Sequence, residues 1–556
     1  MRYSRFATLA VFLLLVPGCQ LFAPPAPTVQ PAAADVIQKS VTMLASPEFE
    51  GRGFGTAGQD KAASYINGYF RGLSLEPAPG QSDFIQTITR SYITGLAPQT
   101  ALCAGDTSYT AMQDFVPNSY SAEGTFTGPV VFAGYGLSGL TTSDGRKYDD
   151  YAGLDVHGKI SLVMDLTPRL PIPRSVNLTS ESAKARIAAE HGAVALLVVH
   201  APTHPRPETL PAVRFRQEQT EPAPTAPAVR PQATTRPTSI VAPIPTIHIS
   251  QKIADDLLAR AGAKTLKTYA ESINSSLTPK SFALRKLRVE GMVAFSREKY
   301  VMRNIIACRP GRGPHADQYI VIGAHYDHIG FADQGRGIIS GLLRGFVRRP
   351  ATAPTTRPYY PGADDNASGT AGLLELARLY SQANRPPRTL MFIAFAGEEL
   401  GMQGSRYFME HSPVPLNKIV AMVNLDMLGR LRDDALTIGG SGTAAVFPAI
   451  LSRCNSSNPP MKFQYLWNNG LAPSDNDSFA RRSIPVLFFN TGMHMDLHKV
   501  SDTADKINYA GEARVVDLAA RVIHDLMTEK DLQFTVAPPA TRPSTRPMPS
   551  AAPAGK

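Results

Sequence analysis

Cysteine is scarce in this chain of 556 residues: Cys19, Cys103, Cys308 and Cys454 are all it has, and no two form a Cys-x-x-Cys pair. That excludes a disulfide-dense scaffold, cysteine metal binding and thioredoxin-like chemistry. With Cys19 modified, as argued below, the remaining three allow at most one bridge, so stability must come from a core that a chain of this length readily buries. A membrane-spanning run is missing too, because the apolar stretch Phe6–Val16 is too short to cross a bilayer. A concentrated basic surface is also lacking. The net charge is +10, but it sits in residues 1–19 (+2), 201–245 (+2), 331–360 (+4) and 536–556 (+3), leaving −1 for everything else. Three of those segments are rich in Pro, Thr and Arg and read as flexible surface loops and a disordered tail. The Pro/Thr/Arg stretches within them, 233–237, 354–358 and 541–547, hold none of the aromatic residues on which single-stranded nucleic acid stacks, so no nucleic-acid partner is expected.

The amino terminus carries Arg2 and Arg5, then the apolar run, then Pro17-Gly18-Cys19, the pattern of a secretory signal. Val16-Pro17-Gly18-Cys19 resembles a bacterial lipobox, in which the cysteine becomes lipidated and terminal after cleavage. The expectation is an exported lipoprotein facing the periplasm or cell exterior. It would touch the membrane only through a lipid anchor at Cys19, with residues 20–35 as a Pro/Ala-rich tether.

The informative content lies further on, in Gly323-Ala324-His325-Tyr326-Asp327, Pro361-Gly362-Ala363-Asp364-Asp365-Asn366-Ala367-Ser368-Gly369, Ala396-Gly397-Glu398-Glu399, Asn424-Leu425-Asp426 and Met495-Asp496-Leu497-His498. The apolar runs Tyr319–Gly323, Leu390–Ala396, Ile419–Leu425 and Pro485–Asn490 read as buried strands. Helical patterns at Ala367–Ala383 and Leu400–His411 lie between them. That alternation predicts an α/β domain with a mixed, mostly parallel sheet flanked by helices. Each polar motif then falls at or beyond the carboxyl end of a strand, where open α/β sheets bind ligands. Taken singly, His-x-Asp is an ordinary loop pair, Glu-Glu a charged helix start and Asp-Asp-Asn a turn and cap. Their joint occurrence is what points to chemistry.

Imidazole and carboxylate together suit zinc. Two ions about 3.5–4 Å apart can share a bridging water, lower its pKa and polarise a carbonyl. The expected assignment is two co-catalytic Zn²⁺: Asp365 shared, His325 with Asp426 on one ion, and His498 with Glu399 on the other. Glu398 is then free as general base. Asp327, two residues after His325 on an extended strand, would orient that imidazole. His328 and His494 are left off the ligand list, His328 being expected to be a supporting or exposed histidine, and Asp502 is a candidate supporting partner.

These motifs resemble the co-catalytic di-zinc aminopeptidase family, which includes bacterial leucyl aminopeptidases and glutamate carboxypeptidase relatives, over about 297–530. The resemblance implies a zinc exopeptidase fold, peptide substrates, Asp365 as the bridging ligand and Glu398 as the base. Residues 36–120, with helices at Val36–Ser46 and near Gln59–Gly72 around Glu48-Phe49-Glu50-Gly51-Arg52-Gly53, are similar to the family's opening segment. Residues 121–282 resemble an inserted β-rich protease-associated domain, carrying a disordered insertion at 201–243. The catalytic domain resumes at 283–532 with an insertion at 331–360, whose stretch Ile338–Val347 would form a helix gating substrate entry. A disordered Pro-rich tail, 533–556, follows. Two departures concern the oxyanion: Leu471 and Leu497 stand where many relatives have tyrosine, and the usual Ser-Asp-His reads Ser474-Asp475-Asn476. Tyr465, nearby, is expected in the core. Aminopeptidase action is the leading expectation. Carboxypeptidase action on acidic dipeptides, a glutaminyl cyclase-like transferase and a receptor-like binding protein are the alternatives.

Overall fold

The computed structural model describes residues 30–171, 180–203, 208, 210, 216–217, 242–331, 358–456 and 459–535. The signal run with Cys19, most of the 20–35 tether, most of the 201–243 and 331–360 insertions with the gating helix, and the tail beyond 535 lie outside the described residues. The described chain divides into two units, 30–87 with 303–331 and 358–535, and 88–302.

In the first unit the apolar runs become strands because both faces are covered, which is how mostly parallel sheets occur. The strands are β1 (Phe295–Arg309), β2 (Tyr319–His325), β3 (Thr389–Phe395), β4 (Ile419–Leu425), β5 (Ala435–Gly439), β6 (Lys462–Tyr465) and β7 (Val486–Asn490). They lie in the order β1-β3-β2-β4-β7-β5-β6. The centre, β3-β2-β4-β7, is parallel, with Gly323 opposite Ile393 on one side and Asn424 on the other. β1 and β5 run antiparallel to their inner neighbours. All seven residues of β3 are buried, and Phe395, Phe408 and Phe479 pack ring against ring.

This unit also holds helices α1 (Ala34–Leu44), α2 (Ala57–Arg71), α3 (Gly369–Gln382), α4 (Gln403–Glu410) and α5 (Tyr509–Thr528), with shorter ones at Phe447–Cys454 and Asn476–Ala480. Two of their starts are set by local chemistry. Thr56 accepts from the Gln59 amide while the Gln59 side chain accepts from Gly55, close to a capping box. Asn508 caps α5 through the Gly511 amide. None of the described helices is long and apolar enough to cross a membrane. Cys103, Cys308 and Cys454 are all free, so no bridge forms.

The second unit extends beyond the expected 121–282. Strands Ala101–Ala104, Thr107–Ser108 and Phe115–Pro117 join its eight-stranded sheet, and so does Phe282–Val293, whose Val289–Met292 pair with Ala104–Ala101. Alternation identifies a strand but does not say which sheet it enters. The inner strands Gly124–Phe132, Ile160–Met164, Ala195–Val199 and Thr246–Ile249 are parallel.

Within that unit Lys184 is fully buried, its ammonium donating to the Met164 and Leu166 carbonyls at 2.7 and 2.6 Å. Burial pulls its pKa from 10.5 down to about 8, against Asp165, Asp150 and Glu181. The unfolded chain therefore holds this proton to higher pH than the folded one, and stability gains with pH between about 8 and 10.5. Lys184→Met should abolish a rise of a few kcal/mol across that window, read from unfolding midpoints as a function of pH.

Candidate active site

His325 ends β2, Glu398 and Glu399 follow β3, Asp426 follows β4, and His498 lies in the loop after β7. Asp365 belongs to the short segment Ala363–Ser368 that leads into α3. The fold brings all of these together. His325 Nε2 is 3.5 Å from Asp365 Oδ1 and 3.5 Å from Asp426 Oδ1. His498 Nε2 is 2.9 Å from Asp365 Oδ2 and 3.4 Å from Glu399 Oε2. The two oxygens of Asp365 thus face different imidazoles.

The loops reach this arrangement through a set of buried polar ties. Asn366 Oδ1 accepts from Gly369 and Met427, and its amide donates to the Leu425 carbonyl, joining the Asp365 and Asp426 loops. Thr370 donates to the His325 carbonyl at 2.8 Å. Asp502 Oδ2 accepts the backbone N–H of both Asp364 and Asp365, at 2.9 and 3.2 Å, while Arg430 pairs with its other oxygen at 2.9 Å. Gly362 has φ +55, and a Cβ there would lie 2.4 Å from the His328 ring, so no other residue fits.

Two expectations change, those for Asp327 and Tyr465. β2 stops at His325, so Asp327 does not lie on the same strand face. His325 Nδ1 meets the main-chain carbonyl of Asp327 at 3.3 Å, with the carboxylate 3.8 Å away. That carboxylate instead accepts the backbone N–H of Glu398 and Glu399, at 3.1 and 3.4 Å. His328 is buried inside the site: its Nδ1 is 2.8 Å from Glu399 Oε1 and 3.7 Å from Asp365 Oδ2. Its place three residues after His325 in a turn gives no periodic signal. Tyr465 is 46% exposed, beside exposed Leu466 and Trp467, and so is no core aromatic. His494 is buried, with Nε2 3.1 Å from Asp364 Oδ2, which sets it behind the Asp365 loop. Leu471 is exposed and Leu497 half-buried.

The electrostatics are those of crowded acids around bases. Burial opposes charge on His325, yet Asp426, Glu398 and Asp365 outweigh it and hold the imidazole well above its usual range. His498 is likewise pushed up to about 11, its hydrogen bonds to Asp365 and Glu399 overcoming burial. Burial raises the Glu398 carboxyl far above normal, and Glu399, Asp475 and Asp426 add to this against the pull of His325. Glu399 shifts the other way, its bonds to His328 and His498 overriding burial. Asp475 is buried and pushed up to about 7.

Two groups of donors could hold divalent ions: His325, Asp365 and Asp426, and His328, Asp365 and Glu399, with ligand atoms inside each group within 4.8 Å. Asp426 Oδ1 is buried and accepts no hydrogen bond among the described residues, an arrangement costly unless a cation completes it. The donors are imidazole and carboxylate throughout, which fits zinc.

Residues 304–523 match the model of Peptidase family M28, and residues 126–257 match that of the PA domain. Leucine aminopeptidase 1 of Trichophyton equinum is 31% identical over 150 residues, 26% of this chain and 34% of that protein. The chain thus spans about a third of the length of such curated relatives. Among solved structures, an aminopeptidase from Aneurinibacillus sp. strain AM-1 superposes with a TM-score of 0.47 at 20% identity, covering 91% of this chain and 96% of that one. A zinc aminopeptidase from Bacillus subtilis gives a TM-score of 0.43 at 18% identity, covering 91% and 98%.

Because His328 Nδ1 holds Glu399 Oε1 and leaves Oε2 facing His498, His328→Leu should weaken any zinc held by Asp365 and Glu399 about 10–100-fold. Any zinc held by His325, Asp365 and Asp426 should be little changed. Zinc titration of metal-free protein, resolving two binding steps, checks this.

Proposed function

We propose that the protein is an exported, zinc-dependent aminopeptidase acting on peptides, a reading supported by the match of residues 304–523 to the Peptidase family M28 model and of residues 126–257 to the PA domain model. The observation that carries the reading is the Asp365 carboxylate, whose Oδ1 faces His325 and Oδ2 faces His498. A shared carboxylate of this kind suits a pair of ions. His325 and Asp426 would hold one Zn²⁺, Glu399 and His498 the other, with Asp365 common to both. When bound, zinc lowers the pKa of water towards 7 and polarises the scissile carbonyl.

The side chains then divide the remaining work. Glu398 is partly exposed, and its carboxylate takes no hydrogen bond from any described residue. Its carboxylate accepts the proton of the attacking water and returns it to the leaving amine nitrogen. Asp327 holds the main chain of Glu398 and Glu399 together, so base and ligand keep their relative placement. His328 orients Glu399 and stands outside the reaction.

Support for an amine-terminal substrate comes from the similarity to leucine aminopeptidase 1. Carboxypeptidase action would need a free cation for the terminal carboxylate; among the described residues Arg52 is held by backbone carbonyls, and Arg430 by Asp502 and Asp496.

Glu398→Ala should lower kcat by about 10²–10⁴ while keeping the metal, whereas Glu399→Ala should lose metal as well. Assays on free and amino-blocked peptides, with and without a chelator, test the class. Cleavage of blocked peptides in preference to free ones would overturn aminopeptidase action, and a single bound ion without hydrolysis would favour a cyclase.

For the anchor we propose lipidation at Cys19. Cys19→Ala should move the protein from the detergent-soluble membrane fraction to the aqueous one and remove fatty-acid label. An unchanged partition would refute it.

A further inference from the structure

The Glu-Gly-Arg-Gly stretch at 50–53 plays no part in the chemistry above, yet its arginine is completely buried. Arg52 Nε donates to the Tyr326 carbonyl at 2.7 Å. Nη1 donates to Leu44 and Pro361, at 2.6 and 2.8 Å, and Nη2 to Gly362 at 2.8 Å. Every acceptor is a neutral backbone oxygen. A buried guanidinium with no carboxylate in hydrogen-bonding reach is costly to retain, so its placement needs a reason.

The acceptors supply one. Tyr326 lies between His325 and Asp327, and Pro361 and Gly362 lead directly into Asp364 and Asp365. One planar group therefore joins the loop after β2 to the loop before α3. The Arg52 carbonyl also accepts from the His328 amide, and the Gly51 carbonyl from Gly330. The segment is threaded tightly between these loops. A Cβ on Gly51 would lie 2.4 Å from the Tyr360 oxygen, and one on Gly53 2.5 Å from the Gly330 Cα. Glu50, Gly51 and Arg52 all take left-handed backbone angles, with φ of 50, 64 and 50°, a conformation that side-chain-bearing residues adopt only where the surroundings dictate it. The charge acts through space as well: Asp365, Asp327, Asp502 and Glu399 all stabilise the protonated form against burial.

We propose that Arg52 is a positioning residue for the metal pair, its guanidinium fixing the separation of the loops that carry His325, His328 and Asp365 and thereby setting zinc affinity. This rests on the zinc-site reading above. Lysine cannot reproduce a fork with donors in fixed directions, and methionine keeps much of the length without charge or donors.

The test uses full-length protein stripped of metal, titrated with zinc alone against a competing chelator, with the thermal midpoint of each metal-free variant measured alongside. Wild type should take two zinc ions. Arg52→Lys should fold with a midpoint close to wild type but bind zinc 10-fold or more weakly, and Arg52→Met should be weaker again. A folded Arg52→Lys with wild-type zinc affinity would overturn the proposal. So would zinc loss in either variant that only tracks its unfolded fraction, since that is what a purely structural role gives. Wild-type protein that takes up no zinc would overturn the zinc reading itself, and that arm separates the two failures.

Discussion

The Asp365 carboxylate sits between two imidazoles that come from opposite ends of the sequence of motifs, and the first unit is arranged so that this one side chain can be shared. Glu399, Asp426 and Glu398 crowd around it, and each of these charges repels the others at short range. Their ionised forms are favoured only where a base, a backbone N–H or a cation compensates. The opposed shifts of neighbouring Glu398 and Glu399 express that competition. Glu399 has histidines on both oxygens and keeps its charge, while Glu398 has none and resists it.

What holds such a cluster is mostly neutral. Asn366, Thr370 and Ser368 bind backbone groups of the neighbouring ligand loops, and Asp502 and Asp327 accept paired amides. Each tie links two loops that are distant in sequence, so displacing one ligand strains the next. Beneath them the parallel strands offer a rigid base, because β3 is buried along its whole length and the aromatic cluster Phe395, Phe408 and Phe479 fills the layer below. A site built on the ends of such strands keeps its geometry better than one built on free loops.

The legible part of the sequence was the part with periodicity. The run Ile419–Leu425 became a strand with those limits, and the others moved by a residue or two. Placing polar motifs at the carboxyl ends of those strands located His325, Asp365, Glu398, Glu399, Asp426 and His498 in one place. Where the chain leaves a strand early or carries no period, side-chain direction is not legible in the sequence. Asp327 was assigned by strand alternation, but the chain turns at His325, and its carboxylate found backbone amides instead of the ring. His328 sits in that same turn, where spacing carries no information about direction. Arg52 stands in the family-like stretch Glu48–Gly53, but its role is not legible there because its partners are carbonyl oxygens, which every residue has. The strands at 101–117 are too short to carry a period, and nothing in them marks which sheet they join.

The leucines at 471 and 497 sharpen the importance of these ties. A hydroxyl donor to the developing oxyanion is worth about 10²–10³ in turnover, and neither position supplies one. Tyr465, Leu466, Trp467 and Leu471 are all exposed. In the proposed reaction the charge growing on the carbonyl oxygen must then be met chiefly by the ions themselves. Electrostatic stabilisation of that kind depends on donors being fixed before the reaction begins, with no reorganisation when charge develops. A chain without the tyrosine therefore relies more heavily on where its ligand loops are held. The buried bonds of Asp502, Asn366 and Arg52 are the means by which this sequence holds them.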